Sequence, residues 1–121
     1  MSEPIDARVL AWSNLPTDRP MPRITRQRVM GEHMMISRVK LSKGFFVPTH
    51  HHFNEQMVCV IAGRASFVLH EGTPKERAVT LGAGEVLHLP PDVPHNCTAL
   101  EDTEIWDLFS PPSARTGVDR G

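Results

Sequence analysis

Apolar residues come in short runs rich in Val, Ile, Leu and Phe, and the runs are cut by eleven prolines and eight glycines. Interruptions this frequent leave no room for long helices and favour short strands. The pattern predicts strands at about 27–31, 34–42, 45–48, 56–62, 65–71, 76–81, 86–89, 95–100 and 103–110. Gly72, Thr73 and Pro74 break a hairpin between the fifth and sixth strands, and Gly82, Ala83 and Gly84 turn the chain into the seventh. Meandering strands of this length imply an all-β sandwich or small barrel over residues 27–112. Residues 1–26, with Pro4, Pro16, Pro20 and Pro22, read as an extended arm anchored by Trp12 and Leu15. Residues 113–121 read as a flexible tail.

Composition narrows the partners. Thirteen basic side chains against fourteen acidic ones, scattered along the chain, form no basic stripe for nucleic acid and no cationic amphipathic helix for a membrane. The partner expected is a small molecule. The start, MSEPIDARVL, lacks the charged and apolar regions of a secretion signal, and the longest apolar run is only Met57–Ala62, so a soluble, cytoplasmic protein is expected. Two cysteines outside any CxxC pair imply reduced thiols, with Cys59 as core filler and Cys97 as an ordinary thiol. Met57, Cys59 and Ile61 alternate with the Gln56 face, which suggests an apolar outer surface and a homodimer.

Period-two alternation also organises the candidate chemistry. His50 and His52 are two apart, so both point to one face of an extended segment while His51 turns away, and Gln56 is an even step from both. Pro90, Pro91 and Pro94 stiffen a turn that delivers His95. Three imidazoles and an amide oxygen suit one divalent transition ion, with Ni, Zn, Fe and Mn all compatible, and leave positions open for substrate or water. Gln56 is preferred to Glu55 as the fourth donor on parity. Asp107 shares parity with Ile105 and Phe109, so an interior Phe109 implies an interior carboxylate, a candidate proton shuttle. His88 is a candidate pocket-wall residue. With no tyrosine, no GxSxG and no GxxxxGK, phenol acids, serine nucleophiles and phosphate loops are excluded.

The spacing of Gly44, His50, His52, Gln56 and Gly63, followed by Gly84, Pro90 and His95, resembles the two signature motifs of the cupin superfamily. That resemblance implies a conical, jelly-roll β-barrel over roughly residues 28–110. The phrase HxHxxEQ, together with the run from Asp107 to Pro112, is similar to the small single-domain cupins of the KdgF, pectin-degradation type. This finer resemblance implies linearisation of 4,5-unsaturated uronates to open-chain ketouronates. It implies metal ligation by His50, His52, Gln56 and His95, acid/base work by Asp107 and a pocket wall at Phe109. The arginine which that family places after the second proline is Ser113 here, and Arg115, two positions on, is the candidate catalytic residue to recruit a substrate carboxylate in its stead. The alternatives are a cupin dioxygenase or a metal-dependent lyase on a small carbonyl compound, and a non-catalytic sugar- or metabolite-binding cupin.

Overall fold

Side chains that alternate in polarity give a strand one dry face and one wet face, and two such sheets bury their dry faces against each other. In the computed structural model, which describes residues 6–119, this happens with nine strands. They are β1 (Ile24–Met30), β2 (Met35–Leu41), β3 (Phe46–His50), β4 (Glu55–Ala62), β5 (Arg64–Leu69), β6 (Arg77–Gly82), β7 (Val86–Leu89), β8 (His95–Ala99) and β9 (Thr103–Ser110). A five-stranded sheet runs β1-β2-β9-β4-β7 and a four-stranded sheet runs β3-β8-β5-β6, with every pairing antiparallel. The fold is therefore the all-β, two-sheet barrel expected, and each predicted strand has its counterpart. Among the described residues no helix is long and apolar enough to cross a membrane.

The core lies between the sheets. From the five-stranded sheet come Ile24, Val39, Leu41, Val58, Val60, Leu89 and Ile105; Val47, Ala65, Phe67, Leu69, Leu81, Cys97 and Ala99 face them from the other. Cysteine roles are the reverse of those expected. Cys97 is buried in this core, where burial pushes its thiol up to about 12, whereas Cys59 points outward because β4 turns Gln56, Val58 and Val60 inward. Gly63, between β4 and β5, adopts a positive φ of 89°, and a Cβ there would overlap the Asp102 carbonyl and reach within 2.6 Å of Thr103 Oγ1.

The two ends of the chain depart from their expected bounds. The barrel begins at Ile24 rather than residue 27, since Ile24 and Arg26 already face inward on β1. Ahead of it, the Trp12 ring packs on Trp106 with centroids 5.8 Å apart, and Arg38 lies over Trp12 at 5.7 Å. Residues 1–5 of the expected arm and 120–121 of the expected tail lie outside the described residues. The residues from Ser113 to Asp119 fold back against the barrel mouth, with Arg28 bonded to the Ala114 carbonyl (2.7 Å) and Arg26 to Asp119.

Candidate metal centre

His50 ends β3 and His95 opens β8, where the two residues pair directly across the ladder. His52 follows in the short link to β4. The three rings converge, with centroids 4.4 Å apart for His50 and His95 and 5.4 Å for His52 and His95, and their ligand atoms lie within 4.8 Å of one another. In each ring Nδ1 meets a backbone carbonyl: Pro48 for His50 (2.9 Å), Asn54 for His52 (3.0 Å) and Val93 for His95 (2.9 Å). A carbonyl can only accept, so each Nδ1 carries the proton and Nε2 is the lone-pair nitrogen that faces the centre. Burial, opposed by the Val93 bond and aided by the neighbouring imidazoles, lowers His95 to about 4, so this ring stays in its neutral, ligating form at neutral pH.

Gln56 enters from β4 on the opposite sheet. Its amide nitrogen donates to Asp107 Oδ1 (2.9 Å), which turns its oxygen toward His52 Nε2 at 3.2 Å. Two acceptors thus face each other, an arrangement that a cation between them stabilises. The residues present fit a divalent ion, and three imidazoles with one amide oxygen are donors that late first-row metals accept. Asp107 pairs with Ser37 on β2 and Val58 on β4, and it lines the same cavity as the histidine cluster. Burial raises its carboxyl to about 7, although the Gln56 hydrogen bond pulls the other way. Phe109, one inward step further along β9, packs edge-on to His52 with centroids 5.7 Å apart.

Six of the eight site residues read from the sequence are therefore brought together: His50, His52, Gln56, His95, Asp107 and Phe109. The other two are not. His88 lies on the outer face of β7, opposite Met57, and bonds Glu55 at 2.6 Å, because residues 86 and 88 take the solvent side while Leu89 takes the core. Arg115 is exposed, and its guanidinium bonds the Asp119 carbonyl (2.7 Å) instead of entering the cavity. Sequence reasoning missed Arg26, whose even step from Ile24 was the available signal. It also missed Thr116, Gly117 and Val118, which line the cavity mouth and carry no periodic signal at all. Gly117 lies so close to His50 that a Cβ on it would overlap the imidazole.

A two-sheet barrel with a histidine cluster inside one end defines the class. The chain belongs to the cupin family: the Cupin domain model matches residues 37–106. Among solved structures it is similar to KdgF from Halomonas sp., at 26% identity over 90% of this chain and 97% of that one, with a TM-score of 0.78. An RmlC-like cupin from Shewanella frigidimarina is 19% identical over 90% and 95% of the two chains, with a TM-score of 0.79. Oxalate decarboxylase from Lactobacillus farciminis, in a formate complex, is 16% identical over 93% of this chain but only 36% of its own, with a TM-score of 0.79. The last two bear on the fold alone, and this chain spans about a third of the oxalate decarboxylase. Comparison with curated protein sequences finds no match.

Proposed function

We propose that the chain is a metal-dependent enzyme that opens the ring of 4,5-unsaturated uronates and tautomerises them to open-chain ketouronates. The observation that carries this reading is Asp107, a carboxyl poised near neutrality inside the cavity and tied through Gln56 to the three-histidine cluster. The resemblance of the motifs to KdgF-type cupins and the structural likeness to KdgF support it.

His50, His52, His95 and Gln56 would hold the ion. When bound, it supplies Lewis-acid stabilisation of negative charge on a substrate oxygen. The chain's own contribution is proton handling. Asp107 takes the proton from the anomeric hydroxyl as the bond between C1 and the ring oxygen breaks, leaving an aldehyde at C1 and an enolate at C5. The same carboxyl then returns the proton to C4, so the product is an isomer of the substrate and no other reactant is consumed. A carboxyl near neutrality suits both halves of this cycle, since it neither holds nor releases its proton too strongly. Gln56 keeps Asp107 oriented through its amide, and Phe109 walls the cavity against His52.

Loss of the enol-ether absorbance of unsaturated galacturonate or guluronate, measured with protein loaded with Ni, Zn, Fe or Mn in turn, tests the reading. Asp107→Asn is expected to slow that loss by roughly a hundredfold or more while metal content stays unchanged. Absorbance that persists with every metal would reject the assignment.

A further inference from the structure

Arg26 is an unusual residue for a barrel wall. It faces inward on β1 at 3% exposure, in a register row otherwise formed by Val39, Ile105 and Val60. A guanidinium there is tolerable only when matched by carboxylates with good geometry. It has two, one on each side of its fork. Asp18 takes Nε (3.1 Å) and Nη2 (2.7 Å), and its backbone is paired with that of Arg26 by two hydrogen bonds of 2.9 Å, so it is a fixed part of the wall. Asp119 takes Nη1 (2.7 Å) and Nη2 (2.8 Å), and it comes from the far end of the chain. The second pair has the bidentate form by which arginine recognises any carboxylate.

Arg26 lines the same cavity as the histidine cluster and Asp107. With the C-terminal segment in place that cavity holds about 60 Å³, against about 300–1,000 Å³ for pockets that enclose small-molecule ligands. That is too small for a sugar acid, and Thr116, Gly117 and Val118 of the segment are part of what fills it. The segment's own layout shows what would replace it. Gly117 lies against His50 and Asp119 on Arg26, and two residues separate their Cα atoms by at most about 7 Å. One short ligand could therefore reach from the histidine cluster to Arg26, with a carboxylate at the Arg26 end. A hexuronate has that length and that group.

We propose that Arg26 is the receptor for the substrate's carboxylate, and that the C-terminal segment occupies the cavity in its place, Asp119 on Arg26 and Gly117 against His50, until a sugar acid displaces it. This deepens the function proposed above, since it assigns the residue that reads the acid group, but its test needs no turnover. Binding of D-galacturonate and of neutral D-galactose to the full-length, metal-loaded chain is compared by calorimetry for the wild type and Asp119→Ala. The variant is expected to bind galacturonate at least roughly tenfold more tightly, and to keep binding it more tightly than galactose. Tryptic cleavage after Arg115 reports the segment directly: Asp119→Ala should accelerate it, and galacturonate but not galactose should accelerate it in the wild type. Unchanged galacturonate affinity in the variant, no galacturonate binding to either protein, or protection of Arg115 by galacturonate would overturn the proposal. If these binding results hold and unsaturated uronates are still not turned over, the ring-opening reading falls and the carboxylate site stands.

Discussion

Asp107 and His95 are neighbours in one cavity whose protonation is displaced in opposite senses. Burial raises the Asp107 carboxyl to about 7, against about 3.9 in an unfolded chain. Between those values the folded protein holds a proton that the unfolded chain has lost, so this group's contribution is complete at low pH and is lost as pH rises through 7. Burial lowers His95 to about 4, against about 6.5 unfolded. Here the unfolded chain holds the extra proton, so the contribution is complete above 6.5 and is lost as pH falls through 4. Across roughly pH 4 to 6.5 the two slopes oppose one another. Urea midpoints of chelator-treated protein should therefore vary little with pH from this pair. Asp107→Asn should leave stability that rises with pH over that window, and His95→Gln stability that falls, each by a few kcal/mol. Parallel slopes in the two variants would contradict the assignment. The histidine cluster and Gln56 were legible in the chain because HxH parity and motif spacing are local. The effect of the barrel on Asp107 was not, since it arises from walls contributed by strands distant in sequence.

At the scale of the elements, the strands were readable because proline and glycine punctuate them and the apolar bursts between are short. β1 was the exception. Its first turn of alternation includes Arg26, and a charged residue in an inward position reads as the end of a strand until its two aspartate partners are seen. The inward reading of His88 failed for the converse reason: a four-residue strand flanked by apolar residues on both sides does not reveal which face is dry. The turn between β4 and β5 depends on one backbone shape. Gly63→Ala would force a Cβ into the Asp102 carbonyl at a φ that side chains rarely adopt, and is expected to destabilise the protein by about 2–4 kcal/mol, measured as a lower urea midpoint with unchanged m-value. A change below about 0.5 kcal/mol would show that the turn relaxes freely.

For the whole molecule, the outer face of the five-stranded sheet is covered unevenly. Trp12 shields Trp106 at one place, while Ile61 and Val86 remain 44% and 58% exposed toward the β7 edge. We expect a homodimer formed over this remaining apolar patch, with light scattering giving twice the chain mass and Val86→Asp shifting it to the monomer; a wild-type monomer would remove the expectation. The C-terminal segment was the part least visible in advance. Its place depends on a residue without a side chain, Gly117, and on one acidic residue whose partner lies 93 positions earlier.

The histidine cluster and Gln56 do not belong to one sheet. His50 and His95 come from the four-stranded sheet, and Gln56 and Asp107 from the five-stranded one, at the end of the sandwich where the apolar core gives way to polar groups. An ion shared between them would act as a rivet through two leaves that are otherwise pressed together only by oil further down. Loading the site would then do mechanical as well as chemical work: it would set the gape of the mouth, and with it the width of the slot into which any ligand, or the chain's own end, has to fit.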